Sequence, residues 1–260
     1  MSKRVLVTGA SRGIGRAICL RLASQGASVA ACASAHADEL QAMIEEAEQL
    51  GGKVLPLIGD LADPATPERL VAQATAELGG LDAVVSNAGV SRPAKLAELE
   101  LRDWDYLLAV NARAPWLLAK AAYPALRASR GSFVSVASMS GLQPYPGMGA
   151  YSPSKAAVLM LVRTLAQEWA AEGIRVNAVS PGLIHTSLTA RIYADAPTKA
   201  AREALIPMHR IGDPGQDIAG LVAFLIGPDA GYVTGQNLLA DGGLMDAVHG
   251  LIAGRPATER

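Results

Sequence analysis

The chain has 260 residues, of which 50% are apolar and 18% charged, with a formal net charge of -1. That is ample material for one large core, and the near-neutral balance, with no basic run, gives no electrostatic reason to expect nucleic acid or an anionic membrane as partner. Cys19 and Cys32 are too few for a disulfide framework, and neither they nor His36, His185, His209 and His249 show metal-ligand spacing, so no metal is expected.

The opening string MSKRVLVTGAS passes from a basic pair straight into a short β-type run, without the apolar core of a signal peptide. The apolar run AAVLML from Ala156 stops far short of the ~18 residues of a membrane span. A soluble, cytoplasmic protein is expected. Strand-like runs follow at 4–8, 28–32, 53–58, 81–86, 132–137, 174–179 and 236–240, mostly apolar along their length, as strands covered on both faces are. Helical patterns lie between them near 13–25, 37–50, 65–78, 101–128 and 152–172, with a further one near 215–226. This alternation predicts an α/β protein, a doubly wound parallel seven-stranded sheet with helices on both faces, in a single domain over 1–260. The long segment 183–213 breaks the rhythm and reads as a substrate lid, and 244–260 as a C-terminal tail suited to covering a neighbouring subunit.

Between the first strand and first helix, TGASRGIG places Gly9, Gly13 and Gly15. Glycines there allow a tight turn and close approach of the backbone, and the helix N-terminus attracts a pyrophosphate. A dinucleotide site is expected, although tight strand-to-helix turns use glycine anyway. An NAD-preferring site carries a carboxylate at the end of the second strand. Here Ala33 and Ser34 stand at that place and no acid appears before Asp38, which belongs to the next helix. Nothing repels a 2′-phosphate and Arg12 could reach one, so NADP(H) is favoured over NAD(H).

Tyr151 and Lys155 are four residues apart and share one helix face. A phenol titrates near pH 10, and an adjacent ammonium, together with the positive charge of an oxidised nicotinamide, favours its phenolate, which would fit it for proton transfer near neutrality. Pro153 is tolerable only in a first helical turn, so it fixes the pair at the helix entrance, toward the sheet edge where α/β ligands bind. Ser138, just past the fifth strand, should reach the same edge, where its hydroxyl could hold a substrate oxygen. Asn111 interrupts a helical pattern four residues before Pro115. Pro115 lacks the N–H that would bond the carbonyl of residue 111, so a kink is expected, with a water on the free carbonyl leading from Lys155 toward solvent.

In this order and spacing, TGASRGIG (8–15), Asp60 in GDLAD, NAG (87–89), Asn111, Ser138, YSPSK (151–155), PG (181–182) and Thr186 resemble the short-chain dehydrogenase/reductase family over nearly the whole chain. The resemblance implies a Rossmann-type fold and oxidoreduction with Tyr151 as acid/base, Lys155 lowering its pKa, Ser138 orienting the carbonyl and Asn111 supporting a proton relay. It implies cofactor contacts from Gly9, Ser11, Arg12, Gly13, Ile14, Gly15, Ser34, Asp60, Leu61, Asn87, Ala88, Gly89, Tyr151, Lys155, Pro181, Gly182, Ile184 and Thr186. Asp60 would meet the adenine and Thr186 the nicotinamide carboxamide. Two departures, Ser86 for a common asparagine and Pro153 for a common alanine, remove no reacting group.

The substrate wall is expected from Ser140, Gln143, Pro144, Tyr145, Leu188, Ile192, Tyr193 and Met208, with VSRP at 90–93, a mixed but rather apolar set that suits a medium-sized ketone or secondary alcohol. SRGIGRAI and the ending YVTGQNLLADGGL are similar to bacterial 3-oxoacyl-thioester reductases, but sugar, polyol and cyclic-alcohol dehydrogenases of the family share them. Three readings stay open: an NADP(H)-linked carbonyl or 3-oxoacyl reductase, an NAD(H)-linked alcohol, polyol or sugar dehydrogenase, and a non-enzymatic nucleotide-binding regulator. Family members pair the helices at 101–128 and 152–172 between subunits. With Trp104, Trp116 and Trp169 on them, a homotetramer is expected.

Overall fold

The structure is a computed structural model and describes residues 3–187 and 189–247. Seven strands form one parallel sheet: β1 (Arg4–Thr8), β2 (Ser28–Ala33), β3 (Lys53–Ile58), β4 (Ala83–Ser86), β5 (Ser132–Val136), β6 (Arg175–Pro181) and β7 (Asn237–Ala240). Their order is β3-β2-β1-β4-β5-β6-β7, with every pair parallel. The chain winds outward from β1 to β3, then returns beside β1 and winds the other way. The reversal between β1 and β4 opens the crevice in which doubly wound sheets bind ligands.

Alternation along each strand builds two cores. Val5, Val7, Val29, Ala31 and Val134 point to one face, against α1 (Gly13–Ser24), α2 (Ala37–Gln49) and the helix at Gly220–Ile226. Leu6, Ala30, Val84, Phe133 and Val176 point to the other, against α3 (Thr66–Leu78), the helix Ala114–Ser129 and the helix Tyr151–Trp169. Each fully buried Val, Leu, Ile or Phe contributes about 1.5–3 kcal/mol, so both faces hold the sheet strongly. Cys19 and Cys32 are buried on opposite faces and unpaired. Burial raises the pKa of both thiols, that of Cys32 to about 12. Among the described residues, no helix is long and apolar enough to cross a membrane.

The helical stretch expected at 101–128 is interrupted around Asn111 by a π-helical turn. It comprises α4 (Leu101–Leu108), a π-helical turn (Ala109–Arg113) and α5 (Ala114–Ser129). A proline just after the turn cannot continue the normal ladder, and wider i→i+5 pairing absorbs the interruption. Next come α6 (Tyr151–Trp169), then α7 (Ala190–Tyr193) and α8 (Ala196–Leu205) in the segment after β6, and finally α9 (Gly220–Ile226). A single bridge, Ile184 to Gly212, ties the two ends of that segment together. The expected tail lies largely outside the described residues, from 248 onward.

Candidate active site

The nucleotide end of the crevice is a backbone construction. Thr8, at the end of β1, accepts the backbone N–H groups of Asn87 and Ala88 at 3.1 and 3.2 Å on its hydroxyl. Asn87 returns its amide to the carbonyls of Thr8 and Gly9, at 3.0 and 3.1 Å. Gly9 has φ +66°, and a Cβ on it would lie 2.9 Å from the Ala88 Cα; a Cβ on Gly15 would lie 2.0 Å from the Gly9 carbonyl oxygen. No side chain but glycine's fits between these backbones. Arg12 precedes α1 in an extended conformation without a side-chain cap, which leaves the helix's first N–H groups to an outside acceptor. Across the turn, a Cβ on Gly13 would meet the Thr186 side chain at 3.4 Å. The turn therefore fits a pyrophosphate flanked by Thr186.

The reacting end is built from buried side chains. Lys155 is 4% exposed, and its Nζ donates to the Val136 carbonyl at 3.1 Å, at the end of β5. The same nitrogen lies 5.7 Å from the centre of the Tyr151 ring and 3.3 Å from where a Cβ on Gly89 would stand. Burial lowers the Lys155 pKa from 10.5 to about 8. Tyr151 is half-buried and hydrogen-bonded to Ser138, whose Oγ also accepts the Ser140 N–H at 3.1 Å. The lowered pKa expected of Tyr151 belongs to the complex with an oxidised nicotinamide beside Lys155, and the protein by itself differs from it. Burial is the largest influence and raises the phenol's pKa, while the Ser138 hydrogen bond opposes the rise.

Asn111 joins this centre through its side chain. Its Oδ1 accepts the Val90 N–H at 2.8 Å, and its Nδ2 donates to the Val90 carbonyl at 2.9 Å and to Ser154 Oγ at 3.1 Å. Ser154, fully buried, donates in turn to the Tyr151 carbonyl at 2.7 Å. Asn111 thus pins the loop after β4 to the first turn of α6, a job distinct from the carbonyl-bound water expected of it.

A family model described as enoyl-(acyl carrier protein) reductase matches residues 9–245. The chain belongs to the short-chain dehydrogenase/reductase family. Over 246 residues it is 37% identical to a 3-oxoacyl-[acyl-carrier-protein] reductase of Thermotoga maritima, covering 94% of this chain and 98% of that one. It is 39% identical over 245 residues to a glucose 1-dehydrogenase of Gluconobacter oxydans, covering 93% and 91%. A short-chain dehydrogenase of Burkholderia cenocepacia solved with NADP superposes with a TM-score of 0.87 at 37% identity, covering 94% and 98%. The protein is accordingly an oxidoreductase with a nicotinamide nucleotide as cofactor.

Within this short-chain dehydrogenase/reductase the other expected residues are distributed unevenly. Ser34 lies exposed just past β2, and Asp60 just past β3, where it accepts the Ala62 N–H at 2.9 Å. Ser11, Leu61 and Ile184 are buried, Ile14 and Ala88 half-buried. Pro181 ends β6, and the Gly182 N–H donates to the Ala240 carbonyl at 2.9 Å. Of the substrate wall, Gln143, Pro144, Tyr145, Ile192 and Met208 are exposed, whereas Ser140 is buried beneath Ser138. Tyr193 is buried too, its ring stacked on His185 at 5.6 Å. Leu188 lies outside the described residues. Trp169 is only 9% exposed and packs against Tyr123 in its own core, so it adds nothing to an outer apolar surface; Trp116, at 46%, does.

Three supporting residues escaped the sequence. Thr8 was visible only as the first letter of its motif. Ser154 and Thr189 were not visible at all: the Thr189 hydroxyl donates to the Ile184 carbonyl at 2.8 Å and accepts the Thr186 N–H at 2.9 Å. Arg12 also has an acidic neighbour, Glu39, in the first turn of α2.

Proposed function

We propose that the protein interconverts a ketone and a secondary alcohol, with NADP(H) preferred, and that it acts as a carbonyl or 3-oxoacyl-type reductase. The observation that carries this is Tyr151 hydrogen-bonded to Ser138 and lying beside the buried Lys155, at the carboxyl edge next to the glycine turn. When bound, the nicotinamide supplies or takes the hydride. Tyr151 gives its phenolic proton to the carbonyl oxygen in reduction and takes a proton from the alcohol in oxidation. Ser138, donating to the phenolate, stabilises the charged form and orients the substrate oxygen. Lys155 spends one N–H on the Val136 carbonyl and keeps two, one face toward the tyrosine and one for ribose hydroxyls. Its positive charge, held in a desolvated site, then offsets the burial that raises the phenol's pKa.

Asn111 and Ser154 keep the helix entrance and the loop at 87–90 in register. The glycine turn, with Ser11, Gly13 and Ile14, would hold the pyrophosphate; Asp60 and Leu61 the adenine; Asn87 to Gly89 and Pro181 to Thr186 the nicotinamide half. The segment 183–213 acts as the lid, with Tyr145 and Ile192 at its mouth. The subunits associate as a homotetramer through α5 and α6, which expose Trp116 and Met160 at 46% and 58%.

The second reading is an NAD(H)-linked sugar or polyol dehydrogenase. It draws on the similarity to a glucose 1-dehydrogenase and on the acid beside Arg12. A panel of 3-oxoacyl thioesters, simple ketones, sugars and polyols, run with each cofactor and followed by reduced-nicotinamide absorbance, decides between them. Turnover of sugars with NAD alone would replace the first reading by the second. Turnover of no member would defeat both.

A further inference from the structure

We infer that Glu39 sets how strongly this protein prefers a 2′-phosphorylated dinucleotide, by competing with the 2′-phosphate for the Arg12 guanidinium. The inference rests on the NADP(H) reading above, in which Arg12 anchors that phosphate. Arg12 Nη1 lies 3.9 Å from Glu39 Oε1, with 43% and 46% of the two side chains exposed. The same carboxylate oxygen lies 3.9 Å from His36 Nδ1. His36 takes a left-handed conformation, φ +62°, as the residue before α2. Ser34, exposed just past β2, lies two residues before that turn. An acid in a first turn is also favoured by the helix dipole, which holds Glu39 in this position.

The sequence around the end of β2 shows no carboxylate, and on that ground a 2′-phosphate meets no repulsion. The fold supplies one from a helical turn further along. Glu39 does two opposed things there. With a free 2′-hydroxyl it can accept a hydrogen bond while Arg12 stays neutralised. With a 2′-phosphate it has to release the guanidinium. The ion pair is long and exposed, so release is easy, and Arg12 can serve either partner. The protein therefore accepts both dinucleotides, with a preference for the phosphorylated one held down by a single side chain. Releasing an exposed ion pair of this kind changes binding by up to about fivefold.

The test is a fluorescence titration of the full-length protein with NADPH and with NADH. Calorimetric titration with the fragments 2′,5′-ADP and 5′-AMP accompanies it, for the wild type, Glu39→Gln, Arg12→Ala and the double variant. The expected result is about threefold to fivefold tighter binding of NADPH and 2′,5′-ADP by Glu39→Gln at low salt, shrinking as salt screens the charges. NADH and 5′-AMP should not tighten, and the gain should vanish when Arg12 is absent. An unchanged NADPH affinity in Glu39→Gln, or an equal gain in the Arg12→Ala background, overturns the inference. Failure of the NADP(H) reading shows separately: wild-type NADPH would bind no better than NADH, and Arg12→Ala would weaken neither.

Discussion

The glycine turn and the Tyr151–Lys155 centre lie along the carboxyl edge of one sheet, yet they are made of different materials. The turn is shaped by what is missing, since a Cβ on Gly15 would stand 2.0 Å from the Gly9 carbonyl. Its bonds run between backbone groups and two short side chains, Thr8 and Asn87. The reacting centre is shaped by what has been taken out of water: a buried amine titrating at about 8 and a phenol pushed up by burial. On the proposed function, one region binds by fit and fixed dipoles, whereas the other stores an electrostatic cost that chemistry can draw on. Substitutions should therefore separate binding from turnover.

The largest separation is expected from Tyr151→Phe. Turnover should fall about a thousandfold, the scale of positioned acid–base catalysis, while NADPH affinity by fluorescence titration stays within a few-fold. A variant that keeps a tenth of the activity would remove the tyrosine from the proton-transfer step. Lys155→Met should lose activity as well, but gain stability. In the folded protein the amine gives up its proton near pH 8, against 10.5 ordinarily. Below pH 8 the wild type thus carries the full cost of a buried charge, about 3 kcal/mol for that difference. Between pH 8 and 10.5 the unfolded chain holds the extra proton, so wild-type stability climbs with pH. Lys155→Met should be the more stable protein in thermal melts at pH 7, with the gap closing toward pH 10. A melting temperature below that of the wild type at pH 7 would contradict it.

At the other region, Gly15→Ala should cost about 1–3 kcal/mol through overpacking, and dinucleotide binding should weaken in step. Here stability and affinity fall together, which calorimetry on the free and NADPH-bound forms would show. If affinity survives while stability drops, the turn does not shape the binding surface. Ser154→Ala is expected to be the mildest, about 1 kcal/mol for a buried hydrogen-bonded hydroxyl. Its signature is a few-fold loss of kcat with KM for the cofactor unchanged, because the Tyr151 carbonyl and the Asn111 amide lose their shared partner. Restoration by Ser154→Thr would confirm the hydroxyl as the cause.

This contrast also explains what could be read from the amino-acid string. The seven strands and the glycine turn were legible because apolar runs and glycine spacing are local consequences of a two-sided sheet and a tight turn. Tyr151 and Lys155 were legible because four residues make one helical turn, and Pro153 fixed where that helix begins. Asn111 was half legible: the break in its helix was expected, its grip on Val90 and Ser154 was not. Those partners lie 21 and 43 residues away, and only the fold sets such distances. Glu39 escaped for the same reason, since a left-handed His36 decides where α2 points. The burial that raises the Tyr151 pKa in the protein by itself was not legible, because the string shows the neighbouring charge and not the loss of water. Trp169 looked like surface because helical periodicity does not say which flank a neighbouring helix covers.

The two native cysteines offer a practical opening. Each thiol is sealed in a different core and resists ionisation, Cys32 up to about pH 12 and Cys19 beyond that. Alkylating dyes should pass the folded protein by, since the reactive species is the thiolate and neither side chain meets solvent. A single cysteine placed at an exposed position such as Arg191 or Lys199 would then carry a fluorophore alone, with the native pair left in place. The movement of the stretch after β6 on dinucleotide or substrate addition could be followed by its emission in real time.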